Sequence, residues 1–211
     1  MSLSIGIIGI FAGIYFYGKN KYIGIGIFYF GFMEILQFLQ YQVIDKCDSK
    51  MNKLLTTLAY IHICFQPLFV NIWLMGFVDD PENYHVFLYM SVCAAILLLS
   101  RMMWVGDDEL CDTKTEPLCG PKTCSLSGHK HIVWNFRLRA AGKNFFTPSI
   151  GLYFFMWAIP TIVMFKKKPI MALILTGPYF GFLFADDIHE SSSVWCFTAI
   201  FQMILSYLYL K

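Results

Sequence analysis

The sequence predicts an all-α membrane protein: a seven-transmembrane helix bundle with one long loop that carries a small β-hairpin. Three observations lead there. Of 211 residues, 57% are hydrophobic and only 14% charged, against roughly 25% charged in soluble proteins. The mean hydropathy is +0.58. The apolar residues also gather into seven stretches, parted mostly by short polar turns. Nearly all of these stretches are close to the length a bilayer demands. Aromatics at 18% suit lipid-facing surfaces and interfacial belts. The net charge of +2 is small and scattered, which argues against nucleic acid as a partner and leaves the lipid bilayer. With no repeat of fixed period, residues 1–211 read as a single membrane domain.

In order, the first span is 3–18, short and rich in Ile, Gly and aromatics, without the basic start and cleavage site of a signal peptide. The second is 22–44, where Gly24, Gly26 and Gly31 allow close helix contact. The third is 51–78, with Pro67 inside it; the missing amide should kink the helix beside His62 and Gln66. The fourth is 85–104. The long loop 106–146 follows. In it Ile132, Trp134, Phe136 and Leu138 alternate with more polar neighbours, the period of a strand, and Ala140–Lys143 is expected to turn it back onto 144–147. The fifth span is 149–165, closed by Lys166–Lys168 as a topology anchor. The sixth is 169–185, interrupted at Thr176-Gly177-Pro178, and the seventh is 191–210.

Seven spans place the termini on opposite sides of the membrane. The raw count of Lys and Arg favours a cytoplasmic N-terminus. Two lysines follow the first span and none precedes it, and Cys47, Cys111, Cys119 and Cys124 all fall in loops on the N-terminal side. An even number of cysteines on one face points to two disulfides in an oxidising compartment. The expectation is therefore an N-terminus outside or luminal.

Glu34, Gln37 and Tyr41 stand at i, i+3 and i+7, one stripe of the second span. His62 and Gln66 stand at i and i+4 on the third. Glu34 and His62 are equidistant from Asp48 in the intervening loop, so an antiparallel pair sets them at one depth. Facing each other, they suit a proton relay, a general acid/base pair or part of a metal shell. The plain alternative is interhelical glue. Asp186, Asp187, His189 and Glu190 cluster before the last span, either as a cation site at the mouth of that pocket or as a solvated turn capping a helix. Cys119 and Cys124 with His129 and His131 invite zinc, though C-x4-C and H-x-H are not ribbon or finger spacings; a disulfide or free thiols are the alternatives. No Gly-rich phosphate loop, nucleophile elbow or His-Glu-x-x-His occurs. The last span has no internal lysine, which argues against a retinal Schiff base; no cofactor is expected.

At MEILQFLQY (33–41), LAYIHICFQPLFVN (58–71), FRLRAAGKNFFTPS (136–149) and HESSSVWCF (189–197) the chain resembles an uncharacterised seven-helix integral membrane family of large DNA viruses and some microbes. The resemblance implies a host membrane if the chain is viral, and no activity. Ceramidase-like hydrolases offer a second likeness, with seven helices and a zinc held by histidines. Their pair of histidines four apart on the last helix is missing, since Ser193 stands four after His189. That likeness is one of architecture. The function expected is conduction or transport of a proton, cation or small polar solute through a mid-membrane pocket of Glu34, Gln37, His62 and Gln66. A metal-dependent hydrolase acting on lipid and a receptor-like or structural protein are the alternatives, and the oligomeric state is not legible.

Overall fold

Small residues decide how the first two helices meet. In the computed structural model, which describes residues 2–103, 105–142, 147–165, 181, 183–185, 189–196 and 199–211, α1 (Ser2–Tyr17) and α2 (Lys21–Tyr41) run antiparallel with glycine against glycine. A methyl group built on Gly9 would come within 2.7 Å of the Gly31 Cα. The backbones therefore touch, and any larger side chain would part them. Asn20 makes the turn between the helices. Its side chain accepts the amides of Tyr22 (3.0 Å) and Ile23 (3.3 Å) and donates to the Gly76 carbonyl (3.1 Å) at the far end of α3 (Lys50–Met75).

Beyond α3, a 3-10 turn (Pro81–Tyr84) leads into α4 (His85–Ser100), followed after the long loop by α5 (Gly151–Phe165), α6 (Ser191–Cys196) and α7 (Ala199–Leu210). Among the described residues, four stretches are long and apolar enough to cross a membrane: Lys21–Tyr41, Lys50–Met75, Pro81–Ser100 and Ser191–Leu210. Ser2–Tyr17 and Gly151–Pro160 are shorter apolar helices. The expected sixth span, 169–185, lies almost wholly outside the described residues, as do Lys166–Lys168, Pro178, Asp186 and Asp187. Polar side chains lock the helices together. Tyr60 donates to the Leu98 carbonyl (2.8 Å), Asn71 to the Ser91 hydroxyl and the Met156 carbonyl (both 3.0 Å), and Trp73 to the Ser206 hydroxyl (2.9 Å). In lipid such bonds are retained because the alternative partner, water, is absent.

The long loop folds as a cap over one end of the bundle. Its strands β1 (Cys124–Ser127) and β2 (Ile132–Asn135) pair antiparallel, Cys124 opposite Asn135 and Ser127 opposite Ile132. The alternation does mark a strand, and its partner among the described residues lies upstream; of the expected return segment 144–147, only Thr147 is among the described residues. The upstream segment wins because Cys124 is tethered to Cys47, which fixes β1 beside the α2–α3 turn. Ile132, Trp134, Phe136 and Leu138 all point inward and are at most 2% exposed. Each contributes about 1.5–3 kcal/mol by burial. The helix ends grip this cap. Asn52 donates to the Val43 (2.8 Å) and Ser125 (3.1 Å) carbonyls and accepts the Ser125 amide (3.0 Å). Thr56 bonds the Ser125 hydroxyl at 2.7 Å, and Asp45 accepts the Ser127 amide at 2.8 Å. Arg101 leaves the end of α4 to donate to the Arg139 carbonyl and to pair with Glu116.

The four loop cysteines form two disulfides, Cys47–Cys124 and Cys111–Cys119. Cys119 and Cys124 are each joined to another cysteine, so neither sulfur is available to a zinc ion shared with His129 and His131. The first bridge closes a separation of 77 residues and the second one of 8. Loop-closure entropy then makes the long bridge worth about 4.5 kcal/mol and the short one about 2.5. Replacing Cys47 and Cys124 with Ser should lower the denaturation midpoint more than replacing Cys111 and Cys119; the reverse order in detergent unfolding would show that the cap is held chiefly by its own short loop.

His131, at the start of β2, is buried against the Tyr41 ring (centroids 5.8 Å apart). Burial pushes its imidazole down from 6.5 to about 4. The unfolded chain then takes up a proton that the folded cap refuses, so this contribution is present above pH 6.5 and is lost as pH falls towards 4. Amide protection over 128–135, taken relative to the intrinsic exchange rate at each pH, should fall across that window, and His131→Gln should flatten the dependence. A cap whose exchange protection does not change between pH 7 and pH 4.5 would contradict this account.

Candidate functional site

A carboxyl group buried in a helix long and apolar enough to cross a membrane is the costliest feature of this chain. Glu34 sits on α2, where the glycine face turned to α1 fixes the helix rotation and so turns Glu34 away from lipid. It is fully buried, and neither of its carboxylate oxygens has a hydrogen-bond partner among the described residues. The Ser2 side chain lies beside it, and Cys196 of α6 and the Tyr41 ring are within electrostatic reach. Gln37, one turn on, is also fully buried with both amide atoms unpartnered among the described residues, and it too neighbours Cys196. Tyr41 completes the stripe and is 40% exposed. Long helical side chains lean towards the helix N-terminus, which carries its hydroxyl back towards Glu34 while its ring borders the cap.

His62 is directed elsewhere. Its Nε2 lies 3.0 Å from the Tyr29 carbonyl, its own carbonyl accepts the Tyr29 hydroxyl, and the two rings stack at 3.8 Å. Glu34 and His62 therefore make no hydrogen bond. Gln66 accepts the Tyr153 hydroxyl at 2.8 Å, while its Nε2 has no partner among the described residues. It borders a narrow cleft of about 20 Å3 beneath the cap, shared with Tyr153, Ser191 and Trp195. That volume admits about one water molecule. Gln40, also on the polar side of α2, is satisfied: it donates to the Leu55 carbonyl (3.0 Å) and accepts the Trp134 indole (3.1 Å).

Of the acidic cluster, Asp186 and Asp187 lie outside the described residues. Glu190 is fully buried and accepts the Lys130 amide at 3.1 Å, and His189 meets the Thr113 carbonyl at 3.1 Å. Ser193 donates to the Ile132 carbonyl at 2.6 Å. These residues seat the hairpin on the start of α6. Among the described residues, no group of three or more His, Cys, Asp and Glu converges as a metal site.

Sequence reasoning missed four participants. Ser2 and Cys196 border Glu34, and a serine or a cysteine in an apolar run carries no signal of its own. Tyr29 captures His62, and nothing in its spacing foretold that. Gln202 on α7 is buried with both amide atoms unpartnered among the described residues. That one was legible, as a glutamine in the middle of the last apolar run.

No curated protein and no solved structure matches this chain. A family model matches residues 1–210, nearly the full length that builds the bundle, the cap and the Glu34 site; the chain belongs to the family of unknown function DUF5765.

Proposed function

We propose that the chain is a seven-span membrane protein that moves a proton or a small cation through the Glu34–Gln37 site. One observation carries the reading: a fully buried carboxylate and a fully buried carboxamide one turn apart, which the described residues meet only with the Ser2 hydroxyl and the Cys196 thiol, neither in good hydrogen-bond geometry. A group so placed is stabilised by a proton, by a cation or by a polar solute, and each of these is a binding event. Glue between the described helices does not account for the pair, because glue is recognised by its partners. Gln40, Tyr60 and Asn71 have them. Tyr41, partly exposed on the same stripe, gives the site a polar route towards the capped face.

In this reading the cap and the N-terminus lie on the extracytoplasmic side. Two disulfides on the cap support that side, because such bonds persist in oxidising compartments.

The test uses sealed vesicles containing the purified protein, with a pH-sensitive dye inside and a potassium diffusion potential as the driving force, and a parallel series with a sodium dye. The parent should conduct one of the two ions faster than empty vesicles, and Glu34→Gln should lower that flux about tenfold or more, the scale of losing a positioned proton-transfer group. Because Glu34→Gln removes a buried charge and keeps the shape, its melting temperature should equal or exceed the parent's. Absence of flux for both ions in the parent, or undiminished flux in Glu34→Gln, would overturn the proposal.

A further inference from the structure

Along the lipid-facing side of the α1–α2 seam runs an apolar groove of about 520 Å3. Ile14 and Tyr17 of α1, Phe28, Tyr29 and Phe32 of α2, and Phe69 of α3 form its walls. Its volume is within the range of small-molecule sites. Aromatic stacking stiffens one wall: the Tyr29 ring lies 3.6 Å from Phe69 on one side and 3.8 Å from His62 on the other. Two polar atoms of that stack are spent inward, the Tyr29 hydroxyl on the His62 carbonyl and the His62 Nε2 on the Tyr29 carbonyl, and the third, His62 Nδ1, is buried away from the groove surface. What the groove offers a ligand is hydrocarbon and ring faces.

Its dimensions and charge define the occupant. From Gly24 to Phe32 the groove follows α2 for about 12 Å at 1.5 Å per residue, just short of one leaflet's hydrocarbon depth of roughly 15 Å. Such a slot suits one extended chain; a helix, at roughly 10–12 Å across, needs a broader and longer seam. At the shallow end, Tyr17 and Gly24 flank the turn that carries Lys19 and Lys21. Both lysines are exposed, and neither is paired with a carboxylate among the described residues. The Lys21 ammonium sits 4.9 Å above the Tyr22 ring. The acidic residues nearest this side, Asp79 to Glu82, follow α3 and lead into α4.

We propose that this groove binds one acyl chain of an anionic phospholipid from the leaflet opposite the cap, with the headgroup phosphate held by Lys19 and Lys21. The inference is independent of Glu34 and of any flux. Basic side chains at a membrane surface each favour anionic lipid by about a factor of five, so the pair should give about twenty-five-fold selectivity.

The experiment is native mass spectrometry of the purified full-length protein in detergent, titrated with phosphatidylglycerol or phosphatidylcholine of identical chains. The parent should retain one phosphatidylglycerol with about twenty-five-fold preference. Ile14→Trp should fill the groove and remove both adducts; Ile14 is 61% exposed, so the fold has room for the larger ring. Lys19→Gln with Lys21→Gln, at two exposed positions, should lower phosphatidylglycerol binding to the phosphatidylcholine level and leave the latter unchanged. Three results would each overturn the proposal: equal binding of the two lipids by the parent, adducts that survive Ile14→Trp in folded protein, or a protein dimer that Ile14→Trp dissociates.

Discussion

The fold depends on one carboxamide at the junction of helix and cap. Asn52 is fully buried at the start of α3, and its side chain answers a carbonyl of the α2 end and both backbone groups of Ser125 in β1. A helix leaves four amides unsatisfied at its start and four carbonyls at its end, and a strand edge leaves more. Near lipid these groups have little access to water. By answering Val43 and Ser125 together, Asn52 joins the two kinds of loose end, and the Cys47–Cys124 bridge holds the chain there. The same logic repeats around the rim, with Asp45 on Ser127, Arg101 on Arg139, and Glu190 on Lys130. Each of these helix ends contributes at least one polar side chain to the cap, and the start of α3 contributes both Asn52 and Thr56.

That rim changes what the buried polar residues mean. Taken singly, Gln40, Thr56, Gln66, Asn71 and Glu190 all look like pocket residues. Once their partners are known, most are structural. Gln40 anchors Trp134, Thr56 anchors Ser125, Asn71 joins three helices, and Glu190 seats a turn. The hydrogen-bond accounting removes them one by one. What remains on α2 is Glu34 with Gln37, and it is this remainder, not the polarity of the bundle interior as a whole, that singles the pair out. An unsatisfied buried amide costs about 1–3 kcal/mol and a carboxylate more, so a pair that the described residues leave without hydrogen bonds calls for a partner beyond them.

The sequence made some of this legible and concealed the rest for physical reasons. Apolar runs announce helices because backbone polar groups in lipid have few alternatives to helical bonding, and Lys21–Tyr41 and Lys50–Met75 fall close to their expected bounds. The inward alternation from Ile132 to Leu138 was readable because side chains on a strand alternate. Strand pairing was not readable, because a disulfide that spans 77 residues chose the partner, and pairings of cysteines cannot be deduced from their number. The four cysteines themselves were identifiable from their loop positions. Helix ends also ran short of expectation: α4 stops at Ser100, not at 104, because Arg101 turns to bind Arg139, a residue 38 positions away.

The separation of Glu34 from His62 shows why depth alone cannot define a site in a membrane. Their equal distance from Asp48 implies one level in an antiparallel pair, and the Gln40 bond to Leu55 nearby falls in almost the same register. Azimuth decides the rest. His62 is held against Tyr29 by a hydrogen bond and a ring stack. Glu34 lies five residues beyond Tyr29, which at 3.6 residues per turn is about 140° around the helix. A side chain that engages Tyr29 from α3 therefore meets α2 on a different face from the one that carries Glu34. The three faces of α2 thus take three tasks: glycines close on α1, Tyr29 and its stack close on α3, and Glu34 with Gln37 turns towards α6. Because the glycine contact with α1 tolerates no extra atom, it fixes the helix rotation, and that rotation keeps the carboxylate clear of the imidazole.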